Sequence, residues 1–510
     1  MQRPQTINID QTAFQKWKST LLHIFTLRIL VEIAKKKKIT LYVGSMDIAK
    51  AFDHVPRSLL LKKLVKLGVG KSMLFALKQV YSFSVCVLKF QNELSGSFMM
   101  RRGVRQGAAS SVLLFNAFID GLFTHLESKC SVENLLGDIH ALIHADDTIV
   151  LSTDRLNFIK KCNEAVKFFT ESKLELNMGK SCFLVINPIS SNDRRNIILD
   201  MGVLKYRKNI DYLGVIISDN GSIKDDVTRF IKQKRPDVTI KFSNFCKINR
   251  NAPLEAKLNV LDTCVSSALL YASETWGCHV KAADIAYKCG IKTALGVRQN
   301  TNTEIIYIET GKYPLHCRVV KAQSKFWVYV NEYIAEFPDS ALKKVIDIGL
   351  GCNIPYLKYY QKLNLGNENP KSCEKRLQDS CMELWKQKIT RQASIDSDSK
   401  LGTYYRINPL LQQFAMNIDI TENERITISR YRTGSHSLAI EIGRFSNTPR
   451  ENRLCGCGAG MQSLWHVFNE CVLTREAVGN KYYSNLQEVF EDDDVHKLLF
   501  RISKVLKIPL

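Results

Sequence analysis

The sequence lacks a run of apolar residues long enough to span a bilayer, and its first ten residues are polar where a signal peptide would be apolar. Both absences predict a protein with neither a membrane-spanning nor a secretory segment. Solenoid-type repeats, Gly/Ser linkers and low-complexity tracts are missing as well. The 15 cysteines are scattered and odd in number. We therefore expect a reducing compartment, in which most of them are small buried hydrophobic residues.

Acidic residues are scarce relative to basic ones, with 72 lysines and arginines against 50 aspartates and glutamates and a formal net charge of +22. A protein of this sign attracts phosphate backbones, and counterion release favours such binding at modest salt. The basic residues are spread through the chain, which favours a groove that follows a duplex. A basic protein without a nucleic-acid partner is the alternative that charge alone leaves open.

The chain does have enough apolar sequence for several cores, since 45% of its 510 residues are hydrophobic. The first 220 residues alternate strand-like and helix-like segments. Residues 39–46 predict a strand that ends at Asp47, and residues 139–145 and 148–151 predict a hairpin with Asp146 and Asp147 at its turn. From about residue 223 the pattern is mainly helical, with polar loops predicted at 364–372 and 394–400. This pattern predicts an α+β fold.

Asp47, Asp146 and Asp147 are the candidate catalytic residues. Nucleotidyl transfer uses two divalent metal ions, one activating the primer hydroxyl and one holding the leaving pyrophosphate. Mg²⁺ prefers hard oxygen ligands, and carboxylates at adjacent strand ends supply them. An isolated Asp-Asp pair is more often an ordinary turn.

Five short motifs, in a fixed order, resemble those of reverse transcriptases. They are MDIAKAFDHV (46–55), RGVRQGAASSVLLFN (102–116), HADDTIVL (144–151), LELNMGKS (174–181) and YLGVIIS (212–218). LLYASETWG (269–277) and GSHSLAIEIGR (434–444) are similar to stretches of non-LTR, LINE-like retrotransposon proteins. The resemblance covers most of the chain and implies an RNA-directed DNA polymerase.

The resemblance also implies a right-hand polymerase architecture. Its palm is an antiparallel sheet packed on helices. The implied parts are partial fingers and palm in 1–222, a helical thumb or connection in 223–330, a helical linker in 331–430 and a zinc-knuckle-like Cys/His domain in 431–510.

Carried over by position, the resemblance assigns two Mg²⁺ ions, or Mn²⁺ in their place, to Asp47, Asp146 and Asp147. Ile48 would lend a backbone carbonyl, and Phe52 would exclude ribonucleotides, although a core aromatic is the alternative. The remaining implied residues contact nucleotide or template (Arg105, Gln106, Gly107), protonate pyrophosphate (Lys180) and grip the primer (Tyr212, Leu213, Gly214). Lys180 could equally be an ordinary surface charge.

Near the C-terminus, four residues follow a C-x-C-x8-H-x4-C spacing: Cys455, Cys457, His466 and Cys471. Three thiolates and an imidazole make a closed, structural zinc site. Two turn cysteines and an unrelated helical His/Cys pair are the alternative.

The sequence also departs from the family pattern. Only 46 residues precede Asp47, and AFQKWKST (13–20) resembles a G-F-R-x-G-R-S-T motif with Ala13 and Trp17 in place of glycines and Lys18 in place of arginine. If the Trp17 position needs positive φ, the turn must rearrange. Val112 stands where proline is common, and no endonuclease domain is recognisable. We therefore expect an N-terminally truncated product, with a catalytically inactive nucleic-acid-binding remnant as the alternative.

The implied partners are template RNA, a DNA primer at a chromosomal target and deoxynucleotides, with no membrane. The implied location is the nucleus, with a cytoplasmic ribonucleoprotein stage. Oligomeric state and target site stay open. An RNA-dependent RNA polymerase is disfavoured by Phe52, since a smaller or polar residue would more often stand there.

Overall fold

The computed structural model of the chain describes residues 7–234, 236–363, 370–414 and 420–508. The chain divides into two compact units. The first comprises Met1–Phe230, Glu274–His279 and Gln323–Asn364, and the second comprises Ile231–Ser273, Val280–Ala322 and Leu365–Leu510. None of the helices in the described part of the chain has the length and apolar character needed to cross a membrane.

Within the described residues, all the strands lie in the first unit. In chain order they are β1 (Leu41–Met46), β2 (Val85–Cys86), β3 (Lys89–Phe90), β4 (Glu93–Leu94), β5 (Phe98–Met99), β6 (Ala141–His144), β7 (Asp147–Ser152), β8 (Cys182–Ile186), β9 (Ile197–Leu199), β10 (Gly202–Tyr206), β11 (Asn209–Tyr212) and β12 (Val215–Ser218). Six of them form one sheet in the order β6-β7-β1-β8-β10-β9. Strand β1 is central and pairs antiparallel with β7 and β8, while β8 and β10 are parallel.

The helices of the first unit up to Phe230 alternate with these strands along the chain. They are α1 (Thr20–Lys37), α2 (Ala51–His54), α3 (Arg57–Lys66), α4 (Lys71–Ser82), α5 (Ala109–Ile119), α6 (Gly121–Lys129), α7 (Arg155–Glu171) and α8 (Ile223–Arg229). The caps follow from sequence: Ser19 accepts a hydrogen bond from the backbone N–H of Leu21, and Asp154 accepts one from that of Asn157. The core of the sheet and helices includes Phe115, Phe118, Phe158, Phe169 and Phe183, each fully buried.

The rest of the chain is helical. Its helices are α9 (Pro236–Ile248), α10 (Leu254–Val260), α11 (Ser267–Leu269), α12 (Lys281–Leu295), α13 (Thr303–Thr310), α14 (Leu315–Glu336), α15 (Ala341–Gly351), α16 (Pro355–Lys362), α17 (Pro370–Ile395), α18 (Lys400–Ile407), α19 (Glu422–Arg432), α20 (Ala439–Phe445), α21 (Leu486–Glu491) and α22 (Val495–Val505). Helices α15 and α16 belong to the first unit, and α14 begins in the second and ends in the first.

The α+β class, the strand before Asp47, the hairpin around Asp146 and Asp147 and the helical character beyond residue 223 are confirmed. The two polar loops are shorter than expected. Residues 364–369 lie outside the described residues, and α17 already begins at Pro370, a favourable first-turn residue. At its other end α17 continues to Ile395, leaving 396–399 as the connection to α18.

Candidate active site

Three aspartates meet at one end of the central strands. Asp47 directly follows β1, Asp146 lies in the turn between β6 and β7, and Asp147 is the first residue of β7. Ala145 makes this turn with a φ of 53°, and His144 pairs with Asp147 across it. Met46 pairs with Thr148, so the antiparallel register places Asp47 beside Asp147 on the neighbouring strand.

These carboxylates repel one another. Loss of hydration, followed by repulsion from Asp146 and Asp47, raises the pKa of Asp147 to about 6. Partial burial and the charge of Asp47 also raise the pKa of Asp146. A cluster of acids that disfavours its own ionisation gains stability from a bound cation, because the cation removes the repulsion. Oxygen ligands of this kind match the preference of Mg²⁺.

The segment that carries Lys180 runs beside Asp47. The backbone N–H of Asp47 donates to Ser181 Oγ at 3.0 Å, and its carbonyl accepts from the N–H of Asn177 at 2.8 Å. Ile48 is buried and forms a bridge with Leu176. Lys180 itself is exposed. Hydrogen bonds from its N–H and to its carbonyl therefore fix the main chain of Asp47 on both sides.

Phe52 lies in α2 and is half-buried. One face stacks on Phe115, with ring centroids 4.9 Å apart and an interplanar angle of 22°. The carbonyl of Phe52 accepts a hydrogen bond from the N–H of Val104 at 2.9 Å. The ring is thus anchored in the core on one side, and the segment that leads to Gln106 is attached to the same helix.

The Arg105–Gln106–Gly107 segment is exposed. Gln106 Nε2 donates to Asp53 Oδ1 at 2.9 Å, and Arg105 Nη2 donates to the carbonyl of Val80 at 3.0 Å. Gly107 has a φ of 82°, a left-handed conformation that a side chain would strain. This segment therefore presents polar groups and backbone to solvent at the N-terminal end of α5.

The Tyr212–Leu213–Gly214 segment forms the tight turn of the β11–β12 hairpin, with φ values of 46° at Leu213 and 81° at Gly214. The ring of Tyr212 is buried, and its hydroxyl bonds to His23 Nδ1 at 3.1 Å. Burial, reinforced by the charge of Asp147, raises the pKa of Tyr212 well above its usual range. The turn residues, rather than the tyrosine hydroxyl, face outward.

The segment before α1 contacts the Asp146–Asp147 hairpin and supports it. The sequence predicts the hairpin but not this contact. Gln11 bridges Ile143 in parallel, and its Oε1 accepts from the N–H of Ala145 at 3.3 Å. Thr12 Oγ1 lies 2.8 Å from His144 Nδ1 and 3.4 Å from His23 Nδ1. Burial lowers the pKa of His23 to about 3, so this histidine is neutral near neutral pH. Single polar residues without a motif carry no sequence signal for such a contact.

The turn at Trp17 does not rearrange as expected. Trp17 itself adopts a φ of 64°, the conformation that a glycine would favour, and its ring is exposed. Its carbonyl accepts from Tyr329 Oη at 2.9 Å. Lys18 Nζ donates to the carbonyls of Ile9 and Gln11. The lysine that replaces the motif arginine is therefore bound to the protein's own backbone.

The four Cys/His residues near the C-terminus come together. The ligand atoms of Cys455, Cys457, His466 and Cys471 all lie within 4.8 Å of one another. Sγ of Cys455 is 3.6 Å from Sγ of Cys471, and Sγ of Cys457 is 3.2 Å from His466 Nε2. The other ring nitrogen of His466 lies 3.2 Å from Glu470, a partner that orients a ligating imidazole. This donor set and spacing fit a tetrahedral metal ion.

A comparison with known protein families gives an independent match for the first unit. The family model described as reverse transcriptase (RNA-dependent DNA polymerase) matches residues 2–217. This match includes all three aspartates and the Gln106 and Tyr212 segments. The palm fold of this domain is therefore established.

Curated relatives come from non-LTR retrotransposons. A retrovirus-related Pol polyprotein from the type-1 retrotransposable element R2 of Popillia japonica is 24% identical over 316 residues, which is 58% of this chain and 42% of that protein. The transposon TX1 149 kDa protein of Xenopus laevis is 26% identical over 219 residues, covering 42% of this chain and 16% of that protein. The chain thus spans less than half the length of these relatives.

Among solved structures, a telomerase from Candida tropicalis in complex with a fragment of telomeric RNA is 14% identical, covering 69% of this chain and 51% of that chain at a TM-score of 0.32. This structural similarity is weak, and the relationship to reverse transcriptases is based on the sequence matches.

Proposed function

Because residues 2–217 are a reverse transcriptase domain related to those of non-LTR retrotransposons, we propose that this chain is an RNA-directed DNA polymerase that copies element RNA into DNA from a DNA primer. The single observation that carries the proposal is the meeting of Asp47 with Asp146 and Asp147 at one end of the β7–β1 pair. The net charge of +22 supports a phosphate-rich template and primer.

In this proposal the carboxylates of Asp47, Asp146 and Asp147 bind two Mg²⁺ ions, and the backbone carbonyl of Ile48 is a further oxygen ligand. The ions supply charge stabilisation at the transferred phosphoryl group and activation of the primer hydroxyl. The chain's own contribution is to fix the carboxylates. The main chain of Asp47 is held by the N–H of Asn177, which donates to its carbonyl, and by Ser181 Oγ, which accepts from its N–H. Gln11 holds the hairpin by accepting from the N–H of Ala145.

The nucleotide would lie over Phe52, with Gln106 and Gly107 against its base and the template. Phe52 is backed by Phe115, so it cannot withdraw from a 2′-hydroxyl without displacing the core. Arg105 and exposed Lys180 offer positive charge to the triphosphate, and Lys180 can donate a proton to departing pyrophosphate. Leu213 and Gly214, at the outward turn, would contact the primer.

The test is primer extension on an RNA template with the full chain. Asp146→Asn should reduce extension by at least about a thousandfold, because it removes one metal-binding charge from a site that acts as a unit. Asp200→Asn, at an exposed position, should retain wild-type extension. Equal extension by Asp146→Asn and wild type would show that these aspartates are not the catalytic acids.

A second candidate is a nucleic-acid-binding protein without polymerase activity. It is favoured by Lys18, the residue that replaces the arginine of the family motif. Its ammonium group is bound to the carbonyls of Ile9 and Gln11, so its charge is not directed to a ligand in solvent. Calorimetry with deoxynucleotide and an RNA–DNA primer–template distinguishes the two. Duplex binding without magnesium-dependent nucleotide binding supports the second candidate, and binding of both supports the polymerase.

For the C-terminal group we propose structural Zn²⁺ bound by Cys455, Cys457, His466 and Cys471, within a zinc-knuckle-like domain of residues 431–510. Residues 223–330 would act as the thumb or connection and 331–430 as a helical linker. A chromosomal DNA target implies a nuclear location with a cytoplasmic ribonucleoprotein stage. Zinc analysis of wild type and Cys457→Ser tests the metal, since the variant should lose one zinc ion per chain.

A further inference from the structure

The second unit contains another cluster of side chains of the types that bind metals, separate from the group of Cys455, Cys457, His466 and Cys471. His316 and Cys317 are in the first turn of α14, and Cys381 is on α17. One ligand atom from each lies within 4.8 Å of the other two. His316 Nε2 is 3.6 Å from Cys317 Sγ and 3.8 Å from Cys381 Sγ.

These distances match the edges of a tetrahedral zinc site. With Zn–S near 2.3 Å and Zn–N near 2.05 Å, a sulfur–nitrogen edge is about 3.6 Å and a sulfur–sulfur edge about 3.8 Å. The three atoms therefore surround a space of the right size for Zn²⁺ with little movement. Cys317 is fully buried, whereas His316 and Cys381 are half-buried, so an ion can enter from one side.

The surroundings favour a cation at this place. Asp284 on α12 accepts from the N–H of Leu315 at 2.9 Å and from Tyr307 Oη at 3.2 Å. Asp284 therefore holds a fixed negative charge at the start of α14, where His316 and Cys317 lie. A fixed carboxylate next to the ligands stabilises positive charge without occupying a coordination position.

Contacts on both sides of the group fix α17, one to α14 and one to α13. Lys321 pairs with Glu374, which ties α14 to α17 beyond the site. Trp385, one turn after Cys381, stacks on Tyr307 with ring centroids 5.2 Å apart and an interplanar angle of 4°. The ligands are therefore preorganised, so little conformational entropy is lost on metal binding.

We propose that His316, Cys317 and Cys381 form a zinc site that clamps the start of α14 to the middle of α17, with water as the fourth ligand. Two neighbouring thiols and an imidazole in a reducing compartment take up Zn²⁺ with release of the thiol protons. The site is independent of the knuckle and of the polymerase assignment.

The experiment measures zinc and cobalt in the full chain, purified under reducing conditions. Cys381→Ser should contain one zinc ion per chain fewer than wild type, and Cys457→Ser should also lose one. The double variant should lose both. Cys264→Ser, at an exposed cysteine of the same unit, is the matched control and should keep the wild-type content.

Cobalt substitution gives an independent readout, because the sulfur-to-cobalt charge-transfer band grows with the number of thiolates. The band lost in Cys381→Ser should be smaller than the band lost in Cys457→Ser. His316→Gln is the second variant, and its retained knuckle zinc and circular dichroism show that it folds. The proposal is wrong if Cys381→Ser and His316→Gln keep the wild-type zinc content, or if peptide mapping recovers Cys317 and Cys381 as a disulfide.

Discussion

The structure of Phe52 is compatible with both of the roles that the sequence presented as alternatives. One face of the ring stacks on Phe115, so it belongs to the core, and the residue is only half-buried, so part of it reaches the surface. A steric gate needs such backing, because a ring that could swing away would admit a 2′-hydroxyl. The core contact and the proposed gate therefore support each other.

Replacing Phe52 by valine tests the gate. Phe52→Val should raise ribonucleotide incorporation relative to deoxynucleotide incorporation by about tenfold or more, equivalent to about 1.4 kcal/mol of lost discrimination. Single-nucleotide extension kinetics measure it. Phe118→Leu, at another fully buried phenylalanine of α5, is the matched control: it should lower the free energy of unfolding by about 1–2 kcal/mol while leaving sugar selectivity unchanged. If Phe52→Val leaves selectivity unchanged, Phe52 is a core residue alone.

Asp10 gives the protein a specific pH dependence. Burial, only partly offset by a hydrogen bond from the N–H of Ala341, raises the pKa of Asp10 to about 6, above its usual value of 3.8. The folded state thus holds this proton more tightly than the unfolded chain. The resulting stabilisation is complete below about pH 4 and is lost as the pH rises through about 6.

Asp10→Asn keeps an oxygen acceptor for Ala341 and removes the charge. The variant should therefore be more stable than wild type at pH 7, by an amount on the order of 1–3 kcal/mol, and the two should converge near pH 4. Urea unfolding at several pH values measures this difference. Asp200→Asn, on the surface, should follow the wild-type curve. A constant difference between Asp10→Asn and wild type across this range would rule out the proton linkage.

At the scale of elements, a buried ion pair holds α7 against the Asp146–Asp147 hairpin. Lys161 of α7 donates to Glu133 at 2.7 Å, and both side chains are buried. Glu133 also accepts from Ser152, at the end of β7, at 2.7 Å and from Asn157 at 2.6 Å. Helix α7 is thereby attached to the strand that begins at Asp147.

Lys161→Met should lower the free energy of unfolding by about 3 kcal/mol, because it leaves Glu133 buried without its cation. The exposed pair of Lys343 and Asp347 is the control. Lys343→Met should cost less than about 1 kcal/mol, since solvent screens that pair. Denaturant unfolding compares them, and equal losses would show that the buried pair contributes no more than a surface one.

Some elements could be predicted from sequence and others could not, for a clear reason. The strand before Asp47 and the hairpin at Asp146 depend on neighbours in the chain, so local pattern reveals them. The knuckle ligands fall within 16 positions of one another, and spacing exposes them. His316 and Cys381 are 65 positions apart, and Gln11 reaches Ala145 across 134. Such contacts depend on tertiary packing, which leaves no local signal.

At the scale of the whole molecule, the charge of +22 predicts steep salt dependence. A protein that neutralises about six phosphates loses roughly a thousandfold in affinity between about 50 and 200 mM salt. Fluorescence anisotropy with an RNA–DNA duplex measures the slope. A flat response would contradict a groove that binds through phosphates.

The same measurement locates the groove. Arg101 and Arg102 are exposed in the segment that leads to Gln106, and changing both to glutamine should reduce the magnitude of the salt slope by about two. Lys36 and Lys37 are exposed at the end of α1, just before β1 begins. Asp47 follows the other end of this strand. Changing both of these to glutamine removes the same charge and should leave the slope unchanged.

The pairing of Met46 with Thr148 has a consequence for any preparation of this protein. Side chains alternate between the two faces of a strand, so a slip of one position would turn Asp47 away from Asp147. A misaligned molecule would therefore be inert rather than slow. If the proposed polymerase activity is correct, titration of competent sites with a tightly bound primer–template would count the correctly paired molecules, and activity per titrated site would separate refolding yield from catalytic rate.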